Sequence, residues 1–430
     1  MDAPEVNTLL EQIDPQVGLI LRRALGGEEV SWQDGLRLCE TNGLALHSTL
    51  IAADELRRRQ AGEVVSYVVN RNINFTNVCI KHCSFCAFSR EHRAEQAYFL
   101  PTEEIIRRAQ EAVDMGATEI CMQAGLPPKM DGRLYIDLTR SVKRALPDLH
   151  IHAFSPEEIA YGALREGVPV VQYLKELKDA GLGTLPGTSA EILDQEIRDA
   201  IAPGRITVRQ WVEVITSAHS LGIPTTSTIM FGHIETPLHW VKHLNLLRDI
   251  QKETHGFTEF VPLSFVYQEA PLYLRGLVHG VRRGATGTEV VKLHALARIM
   301  LGATFRNIQA SWVKEGPKMA QHLLTLGAND LGGTLMNESI STAAGAQYGQ
   351  LVAPRELRRW ILDLNRIPAQ RSTTYRLLKV FHGEDEEDSP LDQVEDANVR
   401  FGSYGALTAA KHFRYVHPFH RTRARATSSD

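Results

Sequence analysis

The chain has 430 residues, 43% of them hydrophobic and 23% charged, which supplies a sizeable core and excludes wholesale disorder. With 47 Lys and Arg against 51 Asp and Glu, a net charge of −4 and no long basic run, it lacks the electrostatic footprint of a nucleic-acid or membrane-surface binder, so small molecules are the expected partners. The sequence opens with no basic-then-apolar leader and contains no stretch of about 18 apolar residues, so the expected location is the cytoplasm.

Residues 1–65 read as an N-terminal helical extension, because Leu36, Leu38, Leu44 and Leu46 recur among charged residues and "ADELRRRQAG" stops at Gly62. From Asn72 onward, short β-rich runs alternate with amphipathic stretches, the pattern of repeated βα units on a parallel sheet. The runs are "NINFTNVC", "TEICMQAGL", "HIHAFS", "LGTLPGTS", "PTTSTIMFG", "TEFVPLSF", "NIQASWV" and "DLGGTLMNE". Together they predict an α/β fold with a (β/α)8 TIM-type barrel over residues 66–376. The intervening "EEIIRRAQEAVDMGA", "YLKELKDAG", "QWVEVITSAHSLG" and "EVVKLHALARIMLG" have helical spacing and a glycine at or near the end, as helix C-caps prefer. Small and polar residues gather where the strands should end, among them Gln123, Gly125, Ser155, Ser189, Gly232 and Asn337, on the rim where barrel chemistry happens. Residues 377–430 read as a partly flexible C-terminal extension, with a solvated acidic run and a basic tail.

Five cysteines are an odd number for a disulfide framework, and three of them stand at 79, 83 and 86, directly after the first run. Three thiolates on one loop grip three irons of a cubane and leave the fourth iron open to a ligand. The competing reading is a Cys3His zinc site completed by His82 or His92, in a binding barrel without catalysis. Zinc sites usually pair ligands from two segments, and no second Cys-x-x-Cys exists; Cys39 and Cys121 are isolated in apolar surroundings.

The spacing Cys-x3-Cys-x-aromatic-Cys, with Phe85 as the aromatic, resembles the motif of the radical S-adenosylmethionine (SAM) superfamily. From about Ser66 to Tyr375 the chain is similar to the second, tyrosine-using subunit of FO synthase, through "CSFCAFSREHRAEQAYFL", "QAGLPPKMDG", "HIHAFSPEEI", "LPGTSAEIL", "STIMFGHIET", "SWVKEGPKMA" and "GGTLMNESISTAAGAQ". The resemblance implies a [4Fe-4S] cluster on Cys79, Cys83 and Cys86, with SAM as the source of a 5'-deoxyadenosyl radical. It implies L-tyrosine and 5-amino-6-(D-ribitylamino)uracil as substrates, an electron donor, and cooperation with the other, CofG-type FO synthase subunit. The menaquinone-pathway enzymes aminofutalosine synthase and cyclic dehypoxanthinylfutalosine synthase share the cysteine run and are the close competitors.

The same resemblance assigns cofactor contacts. Gln123, Ala124 and Gly125 match the Gly-rich segment at the methionine amino group, although the usual acidic residue is absent; a tight βα turn explains the glycine equally well. Ile229, Gly232 and Glu235 loosely match an adenine-packing pattern, with one extra residue inside it. Glu191 and Arg198 lie seven apart, on one face of a helix, and either face the SAM carboxylate and ribose or form a surface pair. His152, Ser155, Thr226, Thr228, Gln309, Trp312 and Asn337 are the candidate substrate contacts, as polar or aromatic residues at inward or rim positions; a satisfied core histidine is the other reading of His152. Trp312 and Asn337 are expected to stack on and hydrogen-bond the uracil ring.

Overall fold

A computed structural model describes residues 8–383 and 388–416. The acidic run in part and the whole basic tail therefore lie outside the described residues. Before the first strand lie the helices Pro15–Leu25, Trp32–Cys39 and Gly43–Ala61. The last of these ends at Gly62, whose φ of 71° needs a residue without a side chain. The glycines at the ends of the other expected helices do the same: Gly116, Gly181, Gly222 and Gly302 all have positive φ.

Among the described residues there are nine strands: β1 Val64–Val68, β2 Asn70–Ile73, β3 Glu119–Met122, β4 His150–Ala153, β5 Thr225–Phe231, β6 Phe257–Ser264, β7 Asp330–Gly333, β8 Ile367–Arg371 and β9 Leu377–Val380. Parallel ladders join β2 to β3, β3 to β4, β5 to β6 and β1 to β7. The runs around Thr184 and Ile308 are not full strands. They make single parallel bridges, His152 to Thr184, Leu185 to Thr225, Phe260 to Ile308 and Gln309 to Asp330. Most strand residues are buried on both faces, which explains why these runs read as apolar rather than alternating.

The hairpin of β8 and β9 was not foreseen. It pairs with β1 from Val64 opposite Ile367 to Tyr67 opposite Gln370, and the end of β8 carries Arg371 into the interior. Arg371 grips Asp330 with Nε at 2.6 Å and Nη2 at 2.9 Å, Ser66 donates to the same carboxylate at 2.6 Å, and Tyr375 donates to Glu259. Arg371, Asp330, Ser66 and Glu259 are buried and Tyr375 partly so, and removing Arg371 leaves uncompensated carboxylates at a cost of about 3–5 kcal/mol. The expected boundary at residue 376 falls inside this hairpin.

The C-terminal extension packs on the cysteine loop and the segment after it. Tyr404 lies 5.5 Å from the Phe88 ring and its hydroxyl donates to the Phe88 carbonyl, while Phe99 and Ala97 hydrogen-bond Phe413 and Tyr415. Among the described residues no helix is long and apolar enough to cross a membrane.

Candidate active site

The cysteine loop leaves β2 and is fastened at both ends. Cys79 N–H donates to the Arg90 carbonyl at 3.1 Å, Ile80 N–H to Leu126 at 3.0 Å, and Ser84 N–H to Ile201 at 3.1 Å. Cys79, Cys83 and Cys86 all line one cavity of 230 Å³, together with Phe85, Gln123, Ala124, Gly125 and Ser155. Burial pushes the Cys79 thiol up and the Cys83 thiol up to about 12, so thiolates there require a cation to hold them. Neither His82 nor His92 lines this cavity. Among the described residues no three His, Cys, Asp or Glu side chains converge on a single-ion position; three thiols around one cavity instead suit a cubane, where each takes its own iron. The donor set therefore fits a [4Fe-4S] cluster.

A buried ionic network lies beneath the loop. Arg205 contacts Glu157 at 3.1 Å and Glu191 at 2.9 Å, Lys81 contacts Glu157 at 3.1 Å, and the Arg205 guanidinium sits 5.7 Å from the Phe85 ring centre. Burial opposes the charge on Arg205, yet Glu191, Cys83 and Glu157 hold its pKa well above the usual range. On the opposite wall Glu158 receives the N–H of Ala124 at 3.0 Å and the N–H and hydroxyl of Ser155 at 2.8 and 2.6 Å. Ser155 caps the helix Pro156–Glu166, so this one carboxylate ties the "QAG" segment to a helix N-terminus. Burial raises the Glu158 pKa to about 7.

A model described as the radical SAM superfamily matches residues 73–247, and one described as the CofH/MqnC C-terminal region matches residues 254–382. The 5-amino-6-(D-ribitylamino)uracil–L-tyrosine 4-hydroxyphenyl transferase of Methanothermobacter thermautotrophicus is 48% identical over 357 residues, covering 83% of this chain and 96% of the relative. Its counterpart in Methanocaldococcus jannaschii is 47% identical, covering 82% and 98%. The chain belongs to this transferase family. The FO synthase of Mycobacterium tuberculosis is 47% identical over 86% of this chain, which spans 43% of that longer protein. Methylornithine synthase superposes with a TM-score of 0.64 at 19% identity, over 81% of this chain and 97% of the other. The hydrogenase maturase HydG from Carboxydothermus hydrogenoformans gives 0.64 at 17%, over 87% and 83%. Both likenesses concern the fold alone, a radical SAM TIM-type α/β fold.

Within this transferase, the other sequence-derived candidates fall into three groups. Glu191 lines the cavity, and Gln123 accepts from Thr188 at 2.8 Å there; Thr228 lines an adjoining cavity of 160 Å³, whereas Thr226 lines neither and receives the Gly187 N–H at 2.8 Å. A second group is spent on structure. Ile229 is fully buried, while Glu235 receives the N–H groups of Gly232 and His233 and the Trp240 indole, and none of Ile229, Gly232 and Glu235 lines either cavity. His152 is buried against Thr184 at 2.7 Å, and burial lowers its pKa to about 4. Gln309 packs against Gly332, away from both cavities.

The third group departs from expectation in its geometry. Glu191 and Arg198 do pair at 3.2 Å, but they do not share a helix: Ser189 and Glu191 have positive φ, and the helix Gln195–Ile201 begins only after Asp194. Arg198 spends its guanidinium on the carbonyls of Ser189, Ala190 and Ile206. Trp312 is 1% exposed with its indole donating to the Gly333 carbonyl at 2.9 Å, and Asn337 donates to Gly402 at 2.8 Å. Neither lines the two cavities beside the loop. Arg205, Glu157, Glu158 and Lys314 are further charged residues lining these cavities; of them only Glu158 had a local signal, as the fourth position of the Ser155 capping box.

Proposed function

We infer that this chain joins the 4-hydroxybenzyl group of L-tyrosine to 5-amino-6-(D-ribitylamino)uracil, releasing 2-iminoacetate, methionine and 5'-deoxyadenosine, on the way to the deazaflavin FO. The observation that carries this is 48% identity over 96% of a transferase of that name, with three loop thiols lining one cavity. A bound [4Fe-4S] cluster and SAM supply the hydrogen-abstracting radical. The chain's own residues do the rest. Cys79, Cys83 and Cys86 hold the cluster, Gln123, Ala124, Gly125, Ser155 and Glu191 face the SAM side, and Thr226 and Thr228 face the substrate side. Arg205 and Glu157 keep the loop floor dry and fixed, since a buried, satisfied network resists rearrangement. Reactants held in one geometry, with water and stray hydrogen donors excluded, are what such a radical step asks of a protein.

The parallel pairings reported above, read in sequence from β2 round to β1, support an eight-membered barrel in which the Thr184 and Ile308 segments stand for strands four and seven. The helices before β1 then form an extension ahead of the barrel, whose last strand carries the buried Arg371. An electron donor and the CofG-type partner complete the pathway step, and the cytoplasm is the compartment that suits an oxidant-sensitive cluster. The test is a product assay: anaerobically reconstituted protein, SAM, reductant, tyrosine and the diaminouracil should yield the 4-hydroxybenzyl adduct by mass spectrometry, and omission of either substrate should abolish it. Turnover of futalosine-pathway substrates with tyrosine untouched would overturn the assignment and leave the radical SAM chemistry in place.

A further inference from the structure

Three cavities follow one another along the rim. The first, of 230 Å³, holds the thiols. The second, of 160 Å³, shares Phe85, Cys86 and Ser189 with it and reaches Thr228 and Met230. The third, of 270 Å³, is lined by polar groups including Tyr267, Gln268, Arg283 and Tyr348, and it meets the second at Ser264, Phe265 and Lys314. Lys314 comes from the short helix Trp312–Glu315 and lines both.

The cations around these cavities differ in one respect. Lys81 is committed to Glu157, Arg205 to Glu157 and Glu191, and Arg283 donates to the Tyr273 hydroxyl. The neighbouring Glu315 is committed to Ser264. Lys314 Nζ has neither a hydrogen bond nor an ion pair among the described residues.

We propose that Lys314 binds the α-carboxylate of the amino-acid substrate, at the neck between the cavity beside the cysteine loop and the outer polar cavity. This rests on the transferase reading above. Glu338 and Glu315 are near enough to favour the charge on Lys314 but neither bonds it, and burial still holds its pKa below the usual range; a ligand carboxylate bonded to the ammonium offsets that burial. Of the two substrates only tyrosine carries an anion, because the acceptor is a neutral ring on a polyol. SAM also has a carboxylate, but Lys314 does not line the cavity that holds all three thiols. Anchoring at the neck leaves the amine and Cα toward the loop and the acceptor in the polar cavity beyond, the order the transfer requires.

The experiment uses the full chain, anaerobically reconstituted, as wild type, Lys314→Gln and Lys314→Arg, each checked for iron content and circular dichroism. L-tyrosine and tyramine, which lacks the carboxylate, are titrated calorimetrically, and KM is measured for each substrate. Loss of one charge-assisted contact should weaken tyrosine binding about 10- to 100-fold in Lys314→Gln, with substantial recovery in Lys314→Arg. Tyramine should bind all three proteins alike, and KM for SAM and for the diaminouracil should stay within about twofold. Unchanged tyrosine affinity in Lys314→Gln, or an equal loss for tyramine, would overturn the assignment. Wild-type protein that binds tyrosine through Lys314 yet forms no adduct supports the anchor and overturns the transferase reading; wild-type protein that binds no tyrosine overturns both.

Discussion

Replacing Gly125 by alanine tests why this position carries no side chain. Gly125 does not have a positive φ, so backbone conformation does not demand glycine there. Proximity does: a Cβ would sit 2.3 Å from the Val78 carbonyl oxygen and 2.7 Å from its carbon, where ordinary contact begins at 3.4 Å. The obstacle is backbone, one residue before Cys79, so the cysteine loop must retreat by about 1 Å from the "QAG" segment. Two hydrogen bonds span that seam, Gly125 N–H to Thr76 at 2.9 Å and Ile80 N–H to Leu126 at 3.0 Å. Overpacking at about 1–3 kcal/mol and up to two bonds at about 1 kcal/mol each put the total at about 1–5 kcal/mol. Gly405→Ala is the control, because its nearest neighbour is 3.9 Å away. The assay is anaerobic reconstitution followed by iron and sulfide determination and thermal unfolding. Gly125→Ala should bind well under the wild-type iron and melt several degrees lower, and Gly405→Ala should match wild type. Full iron with an unchanged melting curve in Gly125→Ala would refute the proximity argument.

Reconstituted protein should carry about four irons and four sulfides per chain; Cys83→Ala should lose them together with activity, whereas Cys39→Ala, buried in the N-terminal helices, should keep them, and equal damage from both would count against the loop. Aeration should bleach the cluster and stop 5'-deoxyadenosine formation, as iron analysis and chromatography would show; activity surviving prolonged air with full colour would contradict this. Burial pushes His152, His219 and His294 down to about 4 and His243 to about 3. Because these folded values lie below the unfolded 6.5, the stability they confer is complete above about pH 6.5 and is lost as pH falls toward 4. Each should cost about 2 kcal/mol between pH 7 and 5, visible as a falling urea midpoint, and a flat midpoint would show that the folded protein protonates them.

The features legible in the sequence were local ones. Three cysteines within eight residues and a glycine after each helical stretch declare themselves without knowledge of the fold. Six β runs became strands, but "LGTLPGTS" and "NIQASWV" shrank to single bridges, since Pro186 and the helix starting at Trp312 interrupt the ladders. The β8–β9 hairpin escaped notice because Pro368 sits inside β8 and β9 is exposed along its whole length. Spacing misled at Glu191 and Arg198, where two left-handed residues replaced the assumed helix, although the pair still met. Polar side chains were the hardest to place. Trp312 and Asn337 looked free for a ligand, yet the backbone of Gly333 and Gly402 uses them, and nothing near Arg205 or Lys314 in sequence reveals which cavity each reaches.

The stacking of Tyr404 on Phe88 ties the end of the chain to its cysteine loop, and synthesis separates the two. The ribosome releases Cys79, Cys83 and Cys86 long before it makes the helix Tyr404–Ala409. During that interval the loop has its strand and its neighbours but not its cover. The Phe88 ring, two residues past Cys86, therefore gains its Tyr404 partner only when synthesis is nearly complete. A chain that stops before Tyr404 should fold with that ring uncovered, so the order of synthesis sets when the segment after the cysteine loop is braced.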